Sequence, residues 1–102
     1  MKVQENSFNI SGKVIDIQPL MQFENRETKR TLSKRILVLE VMNGKFANKI
    51  EFEFINESVQ QINGISRGDW VTVNFALKSR SNIKDGKERI FHSLDGFSCY
   101  KE

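Results

Sequence analysis

The side chains that could do chemistry in this sequence are few in kind, and most are cations. His92 and Cys99 are the single histidine and the single cysteine among 102 residues. His92 alternates with Ile90 and Leu94, which predicts a part-buried structural position. Asp95, three residues on, falls on the opposite face of a strand. Cys99 has no histidine at a nucleophile-activating spacing, and a lone cysteine excludes an internal disulfide or a cysteine metal cluster. No glycine-rich phosphate loop, nucleophile elbow or group of metal ligands is present. The residues predict a binding protein rather than an enzyme, with no metal and no cofactor.

The cations are concentrated in two places. Between Glu24 and Arg35 stand Arg26, Lys29, Arg30, Lys34 and Arg35 against Glu24 and Glu27. Between Lys78 and Arg89 stand Lys78, Arg80, Lys84, Lys87 and Arg89 against Asp85 and Glu88. Each segment carries +3 and the whole chain carries +3, so the remainder is −3. Two basic concentrations on a mildly acidic body are the footprint that attracts a polyanion. Phe23 lies in the first segment and Phe91 directly follows the second.

Single-strand binders combine cations that track phosphates with aromatics on which bases stack. The phosphate candidates are Arg26, Lys29, Arg30, Lys34, Lys78, Arg80, Lys84, Lys87 and Arg89, with Lys49 on the outer face of a strand. Phe23 and Phe91 are the stacking candidates. The plain alternative for either basic segment is solvated loop surface, and for Phe23 a lid folded over the core. Glu51 and Glu53 count against the reading. Their parity aims both at the proposed face, where they repel phosphate unless Lys34 and Lys49 pair with them.

The elements that must hold these residues follow from periodicity. Phe8 to Pro19 reads as a first strand whose apolar phase switches between Val14 and Ile15, the sign of a β-bulge near Gly12–Ile15. Leu20 to Leu32 reads as a polar loop. Ser33 to Met42 is a second strand with Leu37, Leu39 and Val41 on one face. Its other face carries Ile36 and Val38, a potential apolar floor for bases. Asn43-Gly44 signals a hairpin turn. Ala47 to Ile55 is a third strand, with Phe52 and Phe54 facing the core. Asn56-Glu57-Ser58 opens a short helix carrying Val59 and Ile62, stopped at Gly64. Val71, Val73, Phe75 and Leu77 mark a fourth strand, with Trp70 out of phase and expected against the helix. The chain then enters a long basic loop around Asp85-Gly86 and returns as a fifth strand through Ile90, Phe91 and Leu94.

The order β-β-β-α-β-β in about 100 residues is that of the five-stranded OB-fold, an all-β Greek-key barrel. In that fold oligonucleotides cross strands two and three, flanked by the loops after strand one and between strands four and five. Those are the two segments where charge accumulates.

The segments Ile10–Ile17, Arg35–Glu40, Val71–Arg80 and Arg89–Phe97 resemble a family of single-domain bacterial and phage proteins. That family is catalogued as a domain of unknown function and regarded as OB-fold single-stranded DNA-binding proteins. The resemblance runs from about Phe8 to Tyr100 and is most specific where the fourth strand enters Ser79-Arg80. It implies single-stranded DNA as the partner, in replication, recombination or repair. Thr31, Leu32 and Ser33 stand where the family often has an aromatic. The ending Cys99-Tyr100-Lys101-Glu102 differs from the acidic tail of better-known bacterial single-strand-binding proteins.

Composition agrees with one globular domain over 1–102, its first seven residues loose: 38% of residues are hydrophobic and 28% charged. No apolar run reaches membrane-spanning length, and Met1–Asn6 lacks the core of a secretion signal, so the cytoplasm is the expected location. Two other readings stand beside the first. One is an OB-fold protein-interaction module, such as a phage accessory or inhibitory protein, using the apolar outer face of the second strand at Ile36 and Val38; the other is an RNA binder. The open edges of an incompletely closed barrel invite a dimer or tetramer.

Overall fold

In the computed structural model, which describes residues 6–102, β1 (Phe8–Ile17) serves two partners. Its first half, Phe8 to Lys13, pairs antiparallel with β5 (Trp70–Lys84). Its second half, Lys13 to Ile17, pairs antiparallel with β3 (Thr31–Asn43). The change of partner coincides with a register shift in which Val14 faces Leu39 and Asp16 faces Val38, leaving Ile15 as the extra residue. This is the expected bulge, and it bends the strand. Gly12 lies at the bend because a Cβ there would come within 2.6 Å of the Glu40 carbonyl oxygen.

From β3 the chain turns into β4 (Phe46–Ile55), antiparallel to it throughout. The two-residue turn is Gly44-Lys45 rather than Asn43-Gly44, since Asn43 already pairs with Phe46. Gly44 supplies the positive φ, 62°, that the first position of such a turn demands. A helical segment, Asn56–Ile62, follows as a 3-10 helix rather than the α-helix of the expected order. Ser58 secures its start, its hydroxyl accepting from the Ile55 N–H at 2.8 Å and donating to the Ile55 carbonyl at 2.9 Å. Ile62 is fully buried beneath the barrel strands, as its spacing predicts.

β5 and β6 (Lys87–Lys101) form the longest pairing, and β4 meets β6 in parallel at Glu53 and Asp95. The circuit β1-β3-β4-β6-β5-β1 closes a five-stranded barrel, its β4–β6 seam made by that single bridge. The core holds Val14, Leu37, Leu39, Phe52, Phe54, Ile62, Val71, Val73, Phe75 and Cys99. Phe52 meets Phe75 edge-on at 5.2 Å between ring centres, a favoured aromatic geometry. Gly96 is a second obligatory glycine: a Cβ there would reach the Phe54 ring at 2.5 Å. One residue further, Phe97 is bulged out of the β5–β6 register.

Three further expectations are corrected. The stretch from Leu20 to Leu32 is not a continuous loop: β2 (Met21–Glu24) pairs with the start of β3, Phe23 opposite Leu32. It makes a sixth strand outside the barrel circuit. The basic segment from Lys78 to Arg89 is not a loop either, since β5 and β6 stay paired up to Lys84 opposite Lys87. Only Asp85 and Gly86 turn, both with positive φ (53° and 74°), the conformation that Asp-Gly favours. Trp70 does not disappear against the helix; it is 51% exposed, opposite Lys13 on β1. The expected loose terminus lies mostly outside the described residues.

Candidate nucleic-acid interface

Strand pairing decides which side chains share a face. Beyond Leu94 the β5–β6 pair runs past its barrel neighbours as a two-stranded arm. Alternation puts Lys78, Arg80, Asn82 and Lys84 on one face of β5. Opposite them, in register, stand Ser93, Phe91, Arg89 and Lys87 on β6. All five cations of the second basic segment therefore lie with Phe91 on one face of one ribbon. The Arg89 guanidinium sits over the Phe91 ring, 5.9 Å from its centre, a cation–π geometry. Phe91 is 48% exposed.

The reverse face of the arm carries Leu77, Ser79, Ser81 and Ile83, paired with Leu94, His92, Ile90 and Glu88. His92 is exposed, not part-buried as its alternation suggests. Its parity is that of the core, but at its level the ribbon has left the barrel and that face meets solvent.

At the root of the arm a charged row crosses four strands. Lys78 on β5 bonds Asp95 on β6 at 3.0 Å, and Lys34 on β3 bonds Glu53 on β4 at 2.9 Å. Asp95 and Glu53 are neighbours across the β4–β6 seam. Glu53 has the outward parity expected, and Lys34 offsets its charge. Glu51 stands opposite Val38. Lys49 stands opposite Glu40, four residues from Glu53 along β4 and away from the arm's root. A groove of about 530 Å³ runs over the row and is lined by Lys34, Glu53, Ile55, Arg80, Phe91 and Ser93 among others.

The first basic segment forms a shorter arm from β2 and the start of β3. Its turn is closed by the Asn25 N–H donating to the Arg30 carbonyl at 2.8 Å. The Asn25 side-chain oxygen accepts from the Glu27 N–H at 2.9 Å, an Asx turn. Arg26, Lys29 and Arg30 occupy this turn, with Lys29 at φ 56°. Phe23 is no lid on the core. It is 50% exposed on β2, and with Leu32 and Arg30 it borders a concavity of about 610 Å³. Phe23, Leu32 and Lys34 share the outer side of the sheet with Ile36 and Glu53. The apolar floor expected from Ile36 and Val38 is closed at Val38, which is only 8% exposed.

The structure thus brings Lys78, Arg80, Lys84, Lys87, Arg89 and Phe91 together on one face, and Lys34 beside them at the arm's root. Phe23, Arg26, Lys29 and Arg30 form a second group on the shorter arm. Lys49 joins neither. Asn82 stands on the same face between Arg80 and Lys84, where neither charge nor an aromatic ring marks it in the sequence. The signal that finds it is register: it shares the parity of Arg80 and Lys84.

A small barrel closed by five strands, with a helical segment between β4 and β5 and one weakly closed seam, is an OB-fold. Residues 9–99 match the family described as Domain of unknown function (DUF3127), and the chain belongs to it. No curated protein matches the sequence. Among solved structures the chain is similar to Rim1, a mitochondrial single-stranded DNA-binding protein from S. cerevisiae. That match has a TM-score of 0.68 and 14% identity, over 97% of this chain and 96% of the other. It is also similar to a small single-stranded DNA-binding protein from Streptomyces coelicolor, with a TM-score of 0.57 and 16% identity over 98% and 96% of the two chains. At these identities the likeness shows the fold.

Proposed function

We propose that the protein is a non-enzymatic single-stranded DNA-binding protein, largely indifferent to sequence. It would coat strands exposed during replication, recombination or repair. The observation that carries this reading is the single face of the β5–β6 arm, where five cations and a half-exposed phenylalanine stand in adjacent cross-strand rows. Cations at strand spacing neutralise successive phosphates and release their counterions, while the ring offers a surface on which any base can stack. The groove at the arm's root would lead the strand toward Lys34 and the shorter arm, where Phe23 and Leu32 give a second platform and Arg26, Lys29 and Arg30 further phosphate contacts. The solved single-strand-binding proteins of the same fold support the reading.

The test is anisotropy of a labelled oligothymidine titrated with the protein, competed by unlabelled single strand, duplex and RNA of equal length. Single-strand binding that duplex displaces poorly is expected, and the RNA arm decides between the two nucleic acids. No binding at low salt would reject the proposal. A protein-interaction role is favoured by one observation, the reverse face of the arm, where Ile83 is 71% and Ile90 56% exposed. It would then be tested by pull-down.

A further inference from the structure

The charged row at the root of the arm is negative at its centre. Read across the sheet it runs Lys34, Glu53, Asp95, Lys78, on β3, β4, β6 and β5. Neighbouring strands lie about 4.8 Å apart, and Glu53 and Asp95 face each other in register across the β4–β6 seam. Like charges directly opposite repel. Lys34 neutralises the first at 2.9 Å and Lys78 the second at 3.0 Å. Side-chain exposure is 28% at Glu53 and 27% at Asp95, so water screens them only in part. The row sums to zero, but its middle is acidic and both of its lysines are already held.

Lys34, Glu53 and Lys78 line the groove between the two basic arms, with Ile55 and Phe91 on the same lining. A phosphate laid across this groove meets the carboxylates and competes with them for both lysines. A base laid there carries no charge and meets apolar and aromatic surface. The two forms of DNA differ in which of these they can present. A duplex is stiff over about 150 base pairs and carries one charge per about 1.7 Å of its axis. To reach both groups of cations it must lay phosphate over Glu53 and Asp95. A single strand turns about its backbone bonds, so it can cross with its bases toward the row and its phosphates toward the flanking cations. A repulsive element of this kind discriminates against the wrong partner without strengthening the right one.

Resting on the single-strand reading above, we propose that Glu53 and Asp95 are specificity-determining residues that exclude duplex DNA. The cations of the arms attract either form. The acidic centre acts at the crossing between them, where only a flexible strand avoids it.

The test uses the full chain, the double variant Glu53→Gln with Asp95→Asn, and a control, Glu40→Gln with Glu102→Gln. The control removes the same charge from β3 and from the residue after β6, outside the groove lining. Anisotropy is measured at low salt for a labelled oligothymidine and for the same strand annealed to its oligoadenosine complement, and the ratio of the two affinities is read. The wild type should prefer the single strand. In the double variant the duplex should gain at least about fivefold more than the single strand does, the effect of one charge pair at contact distance in water. The control should leave the ratio unchanged. If the double variant is unfolded by circular dichroism, Glu53→Gln and Asp95→Asn singly should each give part of the shift. An equal gain for both forms, an equal shift in the control, or a wild type that binds both forms alike would overturn the inference and leave single-strand binding standing. Failure of the wild type to bind oligothymidine would overturn both.

Discussion

Phe91 and Phe54 show how one residue type takes opposite roles according to its place on a strand. Phe54 is fully buried and lies across Gly96; Phe91 is 48% exposed on the arm. Gly96→Ala puts a methyl group into the Phe54 ring, and overpacking of this kind costs about 1–3 kcal/mol. Urea unfolding should show that loss as a lower midpoint. Phe91→Ala should leave the thermal midpoint unchanged and weaken oligothymidine binding by about 1–3 kcal/mol, the contribution of one stacked base. Cys99 gives a pH signature. Burial pushes its thiol up from 9.0 to about 11. The unfolded chain then ionises first, so the cysteine's contribution is complete below pH 9 and falls as pH rises toward 11. The cysteine accounts for about 2–3 kcal/mol of that fall. Denaturant midpoints measured from pH 8 to 11 should fall more steeply in the wild type than in Cys99→Ala. Residue roles were legible where parity and burial coincide, as at Phe52, Phe54 and Phe75. They were not legible at His92 or Val38, because alternation assigns a face and is silent on what covers it.

At the scale of elements, the strands of the barrel were legible and the arms were not. Val71 to Leu77 declare themselves by a strict period of two. Ser79, Ser81, Asn82 and Lys84 are poor strand formers and read as loop, yet they pair with β6 to the turn. Cross-strand pairing, with Asp85-Gly86 setting the register, outweighs their weak intrinsic preference. β2 escaped notice because four residues, Met21 to Glu24, are too few to show a period. The distinction matters for binding. A flexible basic loop would adapt to each ligand, whereas a paired ribbon holds its cations at fixed spacing. The combined Lys84→Ala, Lys87→Ala and Arg89→Ala variant should weaken binding to every single strand alike. It should also flatten the slope of log affinity against log salt by about 2, since each lost contact removes roughly 0.7. An unchanged slope would place the phosphate contacts elsewhere.

For the whole molecule, the radius of gyration is 15.6 Å, against about 13 Å for a compact domain of this length. The β5–β6 arm and the shorter arm extend from the barrel and carry two basic concentrations on an otherwise mildly acidic chain. The outer sheet beyond the arm's root has a different chemistry. There Ser11 bonds Thr72 at 2.7 Å, and Asn74 donates to Ser98 at 2.7 Å. This ladder on β1, β5 and β6 also takes in the Glu102 carboxylate, which accepts from the Thr72 hydroxyl, and it has no row of cations. Among the described residues, no helix is long and apolar enough to cross a membrane.

The proposed function is therefore one of place: a single strand would lie on the basic face of the β5–β6 arm and pass the groove toward the shorter arm. Amide chemical shifts of the isotopically labelled protein, followed as oligothymidine is added, test it most directly. The account predicts that residues 78–93 move first and furthest, that residues 23–34 follow, and that Ser11, Thr72, Asn74 and Ser98 stay still. Shifts centred on that ladder, with the arm unmoved, would contradict it.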